Sequence, residues 1–326
     1  MEENPSHAEM LTSMTGGMVT PTREFTGSDR LHSNGKPKNG FRDALRKIPN
    51  FRNSLSVILS LSLPPLIVWV ATIYNQPLVW IFSTLGMGIA QNRLFIIHHE
   101  AAHRLLFSNR KINDMVGIRF IGWLAFGSGS HGYRIGHLRH HRDEFGPEEP
   151  DFILYSFYPI SKSSMRRKLL RDLSGISAFR ILRPRFERLN ESRHLRLTIS
   201  FLFGQLTIAA LFWFFSNLTM YFFFWILPWT CVYQLLNRVR AISEHGGMTQ
   251  SADRRETTHY VRQNRLAKFF IVPFNVGYHL AHHVDMLVPY KNLPLLDKAL
   301  IEDGYVSSDH IWLNYRSLWK ALVTKN

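Results

Sequence analysis

The sequence predicts an all-α integral membrane protein: four transmembrane helices in two hairpins, with a cytosolic helical cap that carries clusters of histidines. Three observations lead there. Apolar residues gather in four long runs, paired across short turns that hold no Lys or Arg. The 39 Lys and Arg, set against 24 Asp and Glu, crowd into the segments outside those pairs. Nine of the 16 histidines recur at helical spacing close behind the runs.

The first run, residues 55–73, contains Pro64 and Pro65. About 20 residues of helix cross a ~30 Å hydrocarbon core. Prolines kink such a helix but are tolerated where neighbours satisfy the freed carbonyls. After Tyr74-Asn75-Gln76 comes the second run, residues 77–97, with Gln91, Asn92 and Arg93 near its end. The third and fourth, residues 197–215 and 220–236, form the other pair, the fourth very rich in Phe and Trp. Basic residues number 8 in residues 1–52, 17 in 98–195 and 12 in 238–326, with none in 74–76 or 216–219. The positive-inside rule then puts both termini and the long middle segment on the cytosolic side of a bacterial inner membrane or an ER membrane. A soluble bundle has no reason to sort its charges this way.

Residues 1–50 are polar and basic and read as a mobile tail without a cleavable signal peptide. Residues 51–326 form the membrane domain. The stretch Met115–Phe126 is apolar but too short to span, so a re-entrant or surface-lying helix is expected. Residues 162–196 hold eleven basic and three acidic residues among Leu, Ile and Phe. That composition fits either a solvated loop or an amphipathic segment on anionic headgroups. The formal charge of +15 asks for a polyanionic neighbour. The apolar runs select membrane lipids for that role, and no nucleic acid is expected. Cys231 is the single cysteine, which excludes an internal disulfide or a cysteine-based zinc site.

The histidines fall into groups: His98-His99-Glu100-Ala101-Ala102-His103, His137-Leu138-Arg139-His140-His141, and His279-Leu280-Ala281-His282-His283. Residues three and four apart share a helix face. His99 and His103 therefore point together, and each H-x-x-H-H unit reads as a three-nitrogen patch. His245, in Ser243-Glu244-His245-Gly246-Gly247, is the ninth candidate, against a reading as a helix-end histidine before a glycine cap. His98 points about 100° away from His99 and is expected behind the ligands, unless the register shifts by one. His7, His32, His194, His259 and His310 are isolated and expected to be solvated, and His131 has no spacing argument. Imidazole suits iron, zinc and copper. Nine are too many for one metal, whereas two metals with four or five nitrogens each would use them all. A carboxylate-poor pair favours redox chemistry with dioxygen over hydrolysis.

The order H-x3-H, H-x2-H-H and a distant H-x2-H-H, with apolar hairpins before and between, resembles the membrane fatty-acid desaturase family over roughly residues 55–300. Further matches are Glu148-Glu149-Pro150-Asp151, Glu244-His245-Gly246, and Asn275-Val276-Gly277-Tyr278-His279 leading to Pro289-Tyr290 and Leu293-Pro294. The resemblance implies two iron ions, dioxygen as co-substrate and oxidation of an unactivated C–H bond in a lipid or acyl chain, most simply by desaturation. The expected metal ligands are His99, His103, His137, His140, His141, His245, His279, His282 and His283. No His-Pro-Gly-Gly signature of a fused cytochrome b5 is present. A separate ferredoxin or cytochrome b5 is then the electron donor.

Rival readings remain at this point. A hydroxylase, or a carotenoid ketolase or hydroxylase, shares the same ligand pattern. His99-Glu100-x-x-His103 is also the H-E-x-x-H of an intramembrane zinc protease, although that reading leaves six further clustered histidines without a role. A metal transporter would place its site near the bilayer midplane rather than behind the helix ends.

Overall fold

The computed structural model describes Ser6, Glu9, residues 16–147 and residues 149–324. The principal helices are α1 (Asn39–Leu45), α2 (Asn50–Tyr74), α3 (Pro77–Ala102), α4 (Gly132–Arg142), α5 (Lys162–Leu173), α6 (Ile176–Glu187) and α7 (Ser192–Phe215). They continue with α8 (Leu218–His245), α9 (His279–Val284), α10 (Leu293–Glu302) and α11 (Tyr315–Ala321). Among the described residues the strands are β1 (Ile160–Ser161), β2 (Tyr260–Val261), β3 (Ile311–Trp312) and β4 (Val323–Thr324), paired in parallel as β1·β4 and β2·β3. The chain divides into two compact units, Pro49–Arg134 with Arg167–Asn237, and Met1–Ile48 with Ile135–Arg166 and Arg238–Asn326.

The first of these is the apolar unit. Among the described residues, three helices are long and apolar enough to cross a membrane: Asn39–Tyr74 (α1 joined to α2), Ser192–Phe215 and Leu218–His245. Their outer residues carry large apolar side chains in the open, with Trp69 60%, Leu206 66% and Phe214 80% exposed. Water penalises such a surface and lipid does not. The second expected run does form a helix, the 26 residues of α3, but does not count among the three. Gln91, Asn92 and Arg93 dilute its apolar character, and Gln91 and Asn92 are buried within the protein. α2 runs unbroken through Pro64 and Pro65.

Several polar groups among these helices find partners, as burial favours. Gln91 Nε2 donates to Trp225 O at 2.8 Å, and Gln205 Nε2 donates to Trp123 O at 2.9 Å. Trp225 Nε1 donates to Gln205 Oε1 at 3.2 Å. Phe126 stacks on Trp229 with ring centroids 4.2 Å apart, so part of the aromatic richness is internal packing. The apolar stretch after α3 is helical over residues 110–124 and lies tightly against α3. Asn113 Nδ2 donates to Ala101 O at 3.0 Å. A Cβ on Gly117 would stand 2.2 Å from the Ala101 Cβ, an approach only glycine permits.

The other unit has a core of Leu31, Leu45, Leu280, Val284, Leu296 and Leu300, all nearly or fully inaccessible. Leu31 and Leu45 belong to the stretch expected to be a mobile tail. The structure corrects that expectation for residues 16–48, while Met1–Pro5, His7–Ala8 and residues 10–15 lie outside the described residues. Composition misled because ion pairs tie this polar segment down. Arg30 engages Asp303, and Arg46 Nη2 reaches the two carboxylate oxygens of Asp285 at 2.7–2.8 Å. Asn292 Nδ2 donates to the Leu45 and Lys47 carbonyls at 2.8 and 3.0 Å.

Candidate metal centre

In the apolar unit, α3 delivers His98, His99 and His103 at its last turns, all buried. Arg104 adopts a left-handed backbone, φ 63°, and ends the helix just after His103. The His99 and His103 ring centroids lie 4.9 Å apart, as i and i+4 spacing requires. His98 points elsewhere: Nδ1 donates to Gly117 O at 2.8 Å, and the ring lies against Tyr133 at 4.9 Å. It supports the helix end and is not beside its neighbour. His131 is exposed, with Nδ1 accepting from Arg134 Nη1 at 2.9 Å.

The other unit gathers the remaining seven candidates. Ring nitrogens of His140, His245, His279 and His283 lie within 4.8 Å of one another, and all four residues are buried. Ring nitrogens of His137, His141 and His282 form a second group within the same limit. Each H-x-x-H-H box is thus split between two groups, and this corrects the reading of each as a single patch. The reason is helical geometry: at about 100° per residue, positions i and i+4 differ by only about 40°, while i+3 lies about 100° from i+4. His137 and His141 stay together while His140 leaves them; His279 and His283 stay together while His282 leaves them.

The backing of these rings fixes which nitrogen faces inward. His140 Nδ1 is 2.8–2.9 Å from both carboxylate oxygens of Glu149. His245 Nδ1 donates to Thr257 O at 2.9 Å, and His283 Nδ1 is hydrogen-bonded to Glu144 Oε1. His279 Nδ1 faces Glu244 Oε1 at 3.5 Å without a hydrogen bond among the described residues. With Nδ1 occupied at His140, His245 and His283, their Nε2 is left for the centre, the usual way a protein orients metal-binding imidazoles. His245 Nε2 and His279 Nε2 face each other at 3.0 Å, as do His137 Nε2 and His141 Nε2 at 3.1 Å. Two imidazole lone pairs at that distance need a proton or a cation between them. His283 Nε2 is buried with no hydrogen-bond partner among the described residues. This all-imidazole lining fits a late first-row metal such as iron.

Electrostatics separate the rings. Burial alone lowers a histidine, but the Glu149 carboxylate outweighs it at His140, whose pKa is raised to about 9. Burial holds His279 and His283 well below the usual 6.5, helped by the neighbouring imidazoles. Neutral imidazole is the metal-binding form. Burial also raises Glu144, against the opposing pull of Arg254, whose Nη1 stands 2.8 Å away. Arg254 Nη2 donates to His141 O at 3.0 Å, so one Arg–Glu clamp touches both histidine groups.

The local chain explains the placement of α9 and the end of α8. Gln263 Nε2 donates to Gly277 O at 2.8 Å just ahead of His279. Gly247, φ +76°, closes the chain after His245 where a Cβ would meet the Met18 side chain at 2.4 Å. His259 and His310, expected to be solvated, are buried. His259 Nε2 donates to Gly246 O at 2.7 Å, and burial lowers its pKa to about 4. Sequence reasoning missed the roles of Glu144, Glu149, Thr257 and Arg254. Only the acidic run around Glu149 was a visible signal.

The sequence model of the family described as fatty acid desaturase matches residues 36–313. The chain is 26% identical to dihydrorhizobitoxine desaturase of Bradyrhizobium elkanii over 256 residues, 72% of each chain. It is 24% identical to the chloroplastic omega-6 fatty acid desaturase of Glycine max over 321 residues, 89% of this chain and 71% of that one. A shorter match, 30% over 106 residues, covers 32% of this chain and 28% of the sn-1 oleoyl-lipid 12-desaturase of Anabaena variabilis.

Proposed function

Since this chain belongs to the fatty acid desaturase family, we propose that it inserts a double bond into a fatty-acyl or lipid-like chain, using two iron ions and dioxygen. The observation that carries the reading is the donor set: inward-facing imidazole nitrogens in two groups, backed by Glu149, Glu144 and Thr257, with the His283 Nε2 buried and without a hydrogen-bond partner among the described residues. His140, His245, His279 and His283 are the ligands assigned to one iron. His137, His141 and His282, completed by the His99–His103 pair of the first histidine box, are assigned to the other. When bound, such a pair supplies the oxidising power to take two hydrogens from an unactivated hydrocarbon, with dioxygen and two external electrons as co-reactants.

The protein's own residues orient and insulate. Glu149, Glu144 and the Thr257 carbonyl hold the rings so that Nε2 faces the metal, which raises ligand basicity. Burial of all nine histidines keeps bulk water from the site. The substrate is a lipid or acyl chain, and a separate ferredoxin or cytochrome b5 delivers the electrons. In this reading four helices cross the bilayer, α3 included, and both termini and the metal centre are cytosolic.

Expression in a host of defined lipid composition, followed by lipid mass spectrometry, tests the reaction. The expected product is two mass units lighter than its parent by loss of two hydrogens. A product heavier by one oxygen identifies a hydroxylase instead. Elemental analysis of the purified protein should find two irons per chain. One tightly held zinc and no iron overturns the di-iron assignment.

A further inference from the structure

The segment between α5 and α7 carries a surface that the oxidation chemistry does not use. Residues 167–196 hold nine basic residues and three acidic ones. Asp172, one of the three, is buried and bonded to Ser177, and the other two pair locally, Glu187 with Arg183 and Glu191 with Arg188. The outward potential is therefore positive.

Within this segment α6 has three distinct sides. Ala178 is fully buried, and with the half-buried Leu182 and Arg185 it forms the packed side at i, i+4, i+7 spacing. That side rests on the neighbouring helices. Thr198 Oγ1 donates to Arg185 O at 2.9 Å, the Arg185 guanidinium sits 4.4 Å from the Phe201 ring centre, and α6 packs along residues 228–233. Phe179 and Phe186, 65% and 43% exposed, share one flank, seven residues apart. Arg180 and Arg183 form the exposed crest next to it.

The level of α6 follows from these contacts. It touches α7 at Thr198–Phe201, where the apolar part of that span begins, and reaches α8 at residues 228–233, close to the end of its apolar run. If α7 and α8 cross a bilayer, α6 lies at the boundary between headgroups and hydrocarbon. A helix held there, with aromatic residues on one flank and arginines on the adjoining crest, matches an interfacial amphipathic helix.

We propose that α6 lies in the membrane plane and binds anionic lipid headgroups through Arg180 and Arg183, with Phe179 and Phe186 inserted below them. Anionic lipid is chosen over an acidic protein partner because the arginine crest adjoins an exposed apolar flank at the level of the spans. An acidic redox protein would meet water-facing charge, not a Phe-rich flank at hydrocarbon level.

The test uses the full chain in bilayer nanodiscs, in a Cys231→Ser background, with a nitroxide placed by Phe179→Cys or, separately, by Arg183→Cys. In discs containing phosphatidylglycerol, the label at 179 should collide preferentially with oxygen, which partitions into hydrocarbon. The label at 183 should collide preferentially with a water-soluble nickel chelate. Cationic side chains near an anionic surface contribute about 1 kcal/mol each. Arg183 shares its charge with Glu187. Replacing Arg180 and Arg183 by Gln should then raise the aqueous accessibility of the label at 179 about tenfold. Changing to zwitterionic lipid should do the same with the arginines intact. Equal aqueous accessibility at 179 and 183 in anionic discs overturns the proposal. So does protection that is independent of lipid charge and appears only on adding an acidic ferredoxin. None of these readouts depends on iron or on turnover, so the assigned reaction stands or falls separately.

Discussion

Glu149→Gln is the most informative single change at the proposed metal centre. Glu149 is buried, and its two carboxylate oxygens lie 2.8–2.9 Å from His140 Nδ1. Gln keeps an acceptor oxygen at nearly the same place, so the ring keeps its orientation, but the negative charge is lost. Two effects then oppose each other. In the metal-free protein the carboxylate raises His140 to about 9 from 6.5, a preference for the imidazolium of about 3 kcal/mol. A metal must displace that proton, so losing the charge eases metal entry. Against this, the same carboxylate stabilises a doubly charged cation more than a singly charged imidazolium. The second effect wins, and removing such a backing group typically weakens metal binding about 10–100-fold, or roughly 1.4–2.7 kcal/mol.

The assay is iron retention by the purified, bilayer-reconstituted protein against a graded chelator. Glu149 touches only the group of His140, His245, His279 and His283, so the variant should lose one of two irons early and keep the other. Glu144→Gln is the companion. Glu144 contacts His283 and, through Arg254, the backbone of His141, so both irons should become labile together. Two irons held by Glu149→Gln with wild-type affinity would refute the idea that this carboxylate tunes the site. Simultaneous loss of both irons from it would refute the division into two groups.

Other consequences can be checked with ordinary means. His140→Ala or His282→Ala should abolish turnover while the chain stays in the membrane fraction, since neither residue lies in a helix long and apolar enough to cross a membrane; activity retained in either removes these residues from the metal site. Asp297 accepts from Tyr260 Oη at 2.8 Å, but burial dominates and raises its pKa from 3.8 to about 6. The folded state therefore favours the protonated acid. That contribution, about 3 kcal/mol at most, is complete below pH ~4 and is lost as pH rises through about 6. Thermal melting between pH 4 and 7 should show the decline, and Asp297→Asn should flatten it; an unchanged slope in the variant excludes Asp297 as its source. Reporter fusions after Asn75 and Asn217 should be non-cytosolic, with fusions at Ser163 and after Lys325 cytosolic. A non-cytosolic C-terminus together with a cytosolic Ser163 would separate the histidine boxes by ~30 Å of hydrocarbon and end the di-iron reading.

Much of this protein is legible in its sequence because the signals are local and periodic. Apolar runs about as long as the hydrocarbon core is thick, uncharged turns and histidines at i, i+3 and i+4 need no tertiary information, and eight of the nine proposed ligands are recognisable from that spacing. His245 stands alone in its segment, with no spacing signal, and the structure places it: its Nδ1 donates to Thr257 O, leaving Nε2 toward His279. Three further things were decided only by the tertiary structure. The first is the sharing of each H-x-x-H-H box between two groups, because a pattern shows which residues share a helix face but not what stands opposite each. The second is the backing of His140 and His283 by Glu149 and Glu144, carboxylates whose role depends on where a loop folds back. The third is the ordering of residues 16–48. Their polar composition resembles a free tail, and carboxylates more than two hundred residues away along the chain, Asp285 for Arg46 and Asp303 with Glu302 for Arg30, hold them in place. A long-range ion pair has no local signature, since the cost of closing so long a loop rises only slowly with its length.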